Sequence, residues 1–220
     1  MDPAERLMRE RAKAMMRRRA RGVRASVPAS AVAERSARLA ERLMSLPAVA
    51  GARRIGLFWP IERNHEVDLR PLVEPLLAAG VRLAFPRILE RGDALSFAWV
   101  SNPAELEERE HGFAEPAPTA EEASTLDVVV VPALLLDARG HRLGYGAGYY
   151  DRTLPRLCPP GVAVGVAFDF QLAAEIPTLE CDVPVDVIVT DARILEIAPR
   201  TELLSSDGRR TGRDEPAARG

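Results

Sequence analysis

Lysine is nearly absent from this chain. Of 30 cationic side chains in 220 residues, Lys13 is the single lysine and all the others are arginine. Two cysteines, Cys158 and Cys181, are too few for a disulfide framework. Three histidines (His65, His111 and His141) stand far apart with no CxxC, so a zinc site has little support. No apolar run approaches the ~20 residues of a membrane span. The N-terminus has no signal-like apolar core, and its basic stretch contains Asp2, Glu5 and Glu10, acids that transit peptides avoid. The expected location is therefore the cytoplasm, with no membrane partner. A formal net charge of −2 argues against a general nucleic-acid binder.

What is present is ordinary globular composition, 47% hydrophobic and 28% charged, at a length that suits one domain with a substantial core. Residues 3–24 read as a charged helix with no interior Gly or Pro until Gly22. Ser26 with Pro28 reads as a helix start, and Val32, Ser36, Leu39 and Leu43 predict a second helix as far as Leu46, ended by residues 47–51. Strands are expected at 54–59, 81–85, 95–100, 126–131, 162–166 and 185–190. Helices are expected at 69–79, 149–157 and near 171–175, with a short helix among loops over 102–125. The run Leu126, Asp127 and four valines marks a strand buried on both faces. The alternation predicts an α/β fold, one domain over 1–198 with a mainly parallel central sheet flanked by helices and a basic N-terminal helix. Residues 199–220 read as a disordered tail.

The informative stretch is VPALLLDARGHRLGYGAGYYDR, residues 131–152, in which a buried strand leads into Gly144, Gly146 and Gly148 and a helix opens near the last of them. Glycines let a ligand approach the backbone, and helix N-terminal amides favour an anion, so phosphate is the natural guest. A tight strand–helix turn needing positive φ accounts for the same glycines equally well. A Walker A loop needs a lysine directly after its last glycine, and none stands there. A dinucleotide fingerprint reads GxGxxG in an early unit, whereas GxGxG lies two-thirds of the way along this chain. Asp151, in the first turn of the following helix, either complements the helix dipole or holds magnesium beside a triphosphate.

RLGYGAGYYDR, preceded by Val131, Pro132, Asp137 and Gly140, closely resembles the signature of 5-formyltetrahydrofolate cyclo-ligases, also called methenyltetrahydrofolate synthetases. Lys13, Arg17 and Arg24 resemble that family's N-terminal cations, and Glu66-Val67-Asp68 its folate-side acidic segment. Gly112, Phe113, Glu115 and Pro116 are similar to a third segment. Ala167, Phe168, Gln171, Ile176, Pro177, Glu180, Asp182, Asp186 and Thr190 resemble the C-terminal run. The segments keep the family's order over residues 13 to about 191. Ala147, Leu69 and Cys181 depart from the commonest residues, and the segment 59–65 is about two residues longer than usual.

The resemblance implies ATP as co-substrate and magnesium as cofactor, with 5-formyltetrahydrofolate cyclised to the 5,10-methenyl form by a monomer. It implies that Arg142, Leu143, Gly144, Tyr145, Gly146, Ala147, Gly148, Tyr149 and Tyr150 cradle the nucleotide, with Lys13 and Arg17 closing over it. Lys13, Arg17 and Tyr149 would act in catalysis. Phe58, Glu66, Tyr145, Gly146, Gly148 and Tyr149 would contact the folate, and Asp151 and Asp182 would hold the metal. Beside this stand plainer readings: most arginines of the first helix line a solvated face, Asp186 caps a strand, and Trp59 and Trp99 are core or pocket wall. Two rivals remain, a paralogue that binds nucleotide or folate without cyclising it, and a binder of nucleic acid or anionic surfaces through the N-terminal arginines.

Overall fold

The computed structural model describes residues 1–109 and 113–197. The tail expected at 199–220 and Gly112 of the third segment lie outside the described residues. Helix α1 (Pro3–Ala25) begins on a proline, whose missing N–H would have had no partner in a first turn. Helix α2 (Ala29–Ser45) follows, and α3 (Pro47–Ala50) adds one further turn where only a helix end was expected. Strand β1 (Arg54–Gly56) is shorter than the expected 54–59. The single helix expected over 69–79 divides into a 3-10 turn at Arg70–Leu72 and helix α4 (Val73–Ala78), because Pro71 and Pro75 remove two backbone donors. Strands β2 (Arg82–Arg87) and β3 (Ser96–Val100) pair antiparallel. The stretch expected to hold a short helix contains a 3-10 turn at Pro103–Glu105 and the small strands β4 (Glu107–Glu108) and β5 (Ala114–Glu115).

Strand β6 (Val128–Pro132) does not run straight into the glycines. A hairpin of β7 (Leu135–Asp137) and β8 (Arg142–Leu143) intervenes before α5 (Tyr149–Leu157). Strand β9 (Val162–Val166) is followed by a 3-10 turn at Asp169–Gln171 and strand β10 (Leu172–Ala173), where a helix was expected. The Gln171 side chain causes the difference. Its Oε1 accepts from Phe168 N at 2.9 Å and its Nε2 donates to the Leu134 carbonyl at 2.8 Å, which seats β10 against β7. Strands β11 (Val187–Val189) and β12 (Ile194–Glu196) are the last elements among the described residues.

The large sheet has the order β12-β11-β9-β6-β1-β2-β3. Its five inner strands are parallel and its two edges antiparallel. Val128 and Val130 pack with Leu39, Leu43 and Leu76 of α2 and α4, while Val129 and Val131 pack with Leu154 and Leu157 of α5. All four valines are completely buried, as a parallel strand with both faces covered requires. The fold is therefore the expected α/β arrangement. From β1 the chain goes to β2 on one side and returns to β6 on the other. Such a switch point leaves a crevice at the carboxyl ends of the strands.

Candidate active site

A cavity of about 450 Å³ opens there, within the ~300–1,000 Å³ range of small-molecule sites. Phe58 and Trp59 after β1, Pro86 in β2 and Pro132 at the end of β6 line it. So do Lys13, Arg17, Arg142 and the segment 144–148. An apolar lining suits a flat heterocycle, and cations beside backbone amides suit phosphate.

The cationic part begins with α1. Its buried residues Lys13, Ala20 and Arg24, with half-buried Arg17, share one face of the helix. That face is held by polar contacts. Lys13 Nζ donates to Asp182 Oδ2 at 2.5 Å, Arg17 Nε to the Gly144 carbonyl at 3.0 Å, and Arg21 to the Tyr145 carbonyl at 3.3 Å. The helix thus lies across the glycine segment. Burial, then the neighbouring Arg21, lowers the Arg17 pKa, but a guanidinium starts high enough to remain a cation. The plainer reading of a solvated face holds for Arg6, Arg11, Arg18 and Arg19, which are exposed.

Gly146 (φ 111°) and Gly148 (φ 69°) adopt positive φ, where a side chain is disfavoured. Each has a guanidinium against its bare α-carbon. A Cβ on Gly146 would stand 3.5 Å from Arg17 Cζ, and one on Gly148 would stand 2.9 Å from Arg152 Nη1. Gly148 caps α5 without a side-chain bond, leaving the first amides of that helix beside the cavity. Leu143 corrects one expectation. It is fully buried in β8 and its carbonyl accepts from Leu134 N at 2.8 Å, so hairpin pairing uses it and the cavity does not reach it.

Glu66 is 7% exposed. Its Oε2 accepts from Ile61 N at 2.9 Å and its Oε1 accepts from the Tyr145 hydroxyl. That hydroxyl accepts from Arg24 and, at 3.2 Å, from Asn64. Burial first, then the Glu66 carboxylate, pushes the Tyr145 hydroxyl up to about 12, so it keeps its proton at neutral pH. One hydrogen-bonded knot therefore joins α1, the segment before Glu66 and the glycine loop.

Asp151 Oδ1 accepts from Arg142 Nη2 at 2.7 Å and Val183 N at 3.0 Å. Asp182 Oδ2 accepts from Lys13 and, at 2.7 Å, from Leu179 N. Both carboxylates line the cavity, yet among the described residues no three His, Cys, Asp or Glu side chains converge. Two carboxylates suit magnesium that arrives with phosphates and keeps several waters. They do not suit an ion caged by protein alone. Arg142 is 8% exposed and its Nε is buried with no partner among the described residues. Burial lowers its pKa while Asp151 opposes that shift.

A cationic helix over a glycine loop, joined to an apolar crevice, can be set against known proteins. The model of the 5-formyltetrahydrofolate cyclo-ligase family matches residues 9–191. The chain belongs to this family. The cyclo-ligase of Escherichia coli is 32% identical over 166 residues, covering 71% of this chain and 88% of that protein. That of Mycolicibacterium smegmatis is 34% identical over 194 residues, covering 84% and 97%. The NMR structure of Aquifex aeolicus 5,10-methenyltetrahydrofolate synthetase superposes with a TM-score of 0.74 at 31% identity, covering 91% and 96%.

Within the cyclo-ligase pattern, some residues reach the cleft and others build it. Asp137, 1% exposed, accepts from Arg139 N, His141 N and Ile176 N and so shapes the hairpin. Glu115, 3% exposed, accepts from Ile88 N at 2.7 Å. Asp68 pairs with Arg70, and Asp186 accepts from Ala163 N at 2.8 Å, the strand-capping role expected of it. Ile61, Pro86, Leu95, Leu179 and Arg152 line the cavity although sequence reasoning does not assign them to it. An apolar pocket wall has the same sequence signature as core.

Proposed function

We propose that the protein uses ATP to close the N5-formyl group of 5-formyltetrahydrofolate into the 5,10-methenyl bridge, releasing ADP and phosphate. The carrying observation is the cationic face of α1 laid over the glycine loop, within a cavity that is apolar at the strand ends. In this reading the γ-phosphoryl group passes to the formyl oxygen, which turns a poor leaving group into a good one. N10 of the same folate attacks the formyl carbon and loses its proton, the carbon–oxygen bond breaks, and phosphate departs. The second step is intramolecular, so the protein has to hold reactants, exclude water and neutralise charge.

Arg142, the amides of 144–150, Lys13 and Arg17 take the polyphosphate in this scheme. Phe58, Glu66 and Tyr149 take the folate. Asp151 and Asp182 would hold magnesium, which supplies charge neutralisation to the phosphates. Lys13 and Arg142 now sit on those same two carboxylates. Nucleotide binding would therefore exchange partners, the cations Lys13 and Arg142 moving to phosphate and leaving Asp151 and Asp182 free to hold the ion.

The test is absorbance at the methenyl-folate band with ATP, magnesium and 5-formyltetrahydrofolate, with ADP measured in parallel. Equal amounts of methenyl product and ADP are expected. A folded protein without folate-dependent ADP release would be a non-cyclising member of the family.

A further inference from the structure

Arg152, in the first turn of α5, has no part in the scheme above, yet it lines the same cavity as Lys13 and Arg17. Its Nη2 donates to the Ala147 carbonyl at 2.7 Å. Its Nη1 lies 2.9 Å from where a Cβ on Gly148 would stand, and its guanidinium carbon is 5.6 Å from the centre of the Tyr149 ring. Its Nε is buried with no acceptor among the described residues. Arg17 takes a matching position from α1, bonded to the Gly144 carbonyl and packed against the bare α-carbon of Gly146. The two glycines with positive φ in this loop are thus each covered by a guanidinium, one from each flanking helix.

Arg152 has no carboxylate bonded to it among the described residues of the nucleotide-free protein. A positive charge in the first turn of a helix opposes the positive end of the helix dipole. The cavity already holds Lys13, Arg17 and Arg142, and the adjacent Asp151 is engaged by Arg142. Beside the Tyr149 ring, the polar contact Arg152 makes is to a carbonyl of the loop, which fixes its direction without neutralising its charge. A polyanion at the helix N-terminus would reverse this balance.

We infer that Arg152 is a further nucleotide-binding residue. It holds the Ala147 carbonyl, which orients the loop, and presents its charge to the polyphosphate at the start of α5. The inference rests on the reading of this cavity as the ATP site.

The experiment is calorimetric titration of magnesium-ATP into wild type, Arg152→Met and Arg152→Lys, with melting temperatures taken without nucleotide and KM measured for both substrates. Arg152→Met should melt at or above the wild-type temperature and bind ATP at least about tenfold more weakly, the scale of a lost charge-assisted hydrogen bond. Its KM for ATP should rise while that for folate stays unchanged. Arg152→Lys should recover part of the affinity, since it keeps the charge and loses the planar fork. Wild-type ATP affinity in both variants overturns the inference. So does a melting temperature well below wild type in both, which would make Arg152 part of the framework. Failure of folded wild type to bind ATP would instead reject the reading of the cavity itself, and this inference with it.

Discussion

Lys13 Nζ and Asp182 Oδ2 stand 2.5 Å apart although 169 residues separate them in the chain. Their side chains are 5% and 14% exposed, so the pair is close to fully desolvated. It ties α1 to the segment between β10 and β11 and compensates two charges that the proposed reaction needs elsewhere.

Lys13→Ala should therefore lower the melting temperature as well as ATP binding. A buried pair broken from one side costs about 3–5 kcal/mol. The lower end is expected here, because the Leu179 amide still serves Asp182. Lys13→Arg keeps the charge but places a broader fork in a space fitted to an ammonium. Its turnover should fall at least about tenfold, ~1.4 kcal/mol of transition-state stabilisation. Thermal unfolding and steady-state rates check both, and wild-type values in both variants would leave the Lys13–Asp182 pair without weight in stability or turnover.

Asp151→Asn should change the magnesium dependence of ATP binding more than folate binding. The substitution frees Arg142 from its carboxylate and removes a negative charge from the cavity. Magnesium-free ATP should bind more tightly than to wild type, and the gain on adding magnesium should shrink. Calorimetry in chelator and in excess magnesium measures both terms. An unaltered gain would mean that ATP and water alone hold the ion.

Gly146→Val and Gly148→Val should each abolish ATP binding with the fold largely retained. A β-branched side chain disfavours the positive φ and blocks the approach of phosphate. At Gly148 the added carbon also meets Arg152 Nη1 at 2.9 Å, the far end of a long side chain, so that variant should displace Arg152 from the loop at little further cost in stability. ATP titration with parallel melting curves decides, and unchanged affinity in both would leave the glycines as a structural turn.

Asp191 supplies a pH-dependent contribution to stability. Its side chain is 4% exposed and lies 2.6 Å from Arg35 Nη1 on α2, and it accepts from Asp169 N at 2.7 Å. Burial alone would raise its pKa, but the Asp169 amide and Arg35 outweigh that and hold it below the usual carboxylate value. A depressed folded pKa contributes stability above the unfolded value of about 3.9 and loses it as the pH falls through the folded one. Asp191→Asn should melt a few degrees below wild type at neutral pH, and the gap should close below about pH 4. A gap independent of pH would contradict the ionic account.

Much of the site was legible because its signals are local. The four valines of β6 are β-branched and uninterrupted, and the glycines of 144–148 precede a helix start, so strand, loop and helix followed from neighbouring residues. Strands of two or three residues, such as β7, β8 and β10, are too short to show a period. The residues around Gln171 predict a helix, yet Gln171 is an anchor, because its partners are the backbone of Phe168 and of Ala133 and Leu134 some 37 residues earlier.

The sequence by itself therefore determined the α/β alternation, the glycine-rich loop before a helix and the cationic first helix, all of which depend on residue type and spacing along a few turns of chain. Only the tertiary structure decided which cations face the cleft and what they hold. Lys13 meets Asp182, Arg142 meets Asp151, and Arg24 with Glu66 meets at the Tyr145 hydroxyl. Those pairings are fixed by how α1 lies across the loop. A charge on a helix carries no mark of its partner until packing excludes water and leaves a single group within reach.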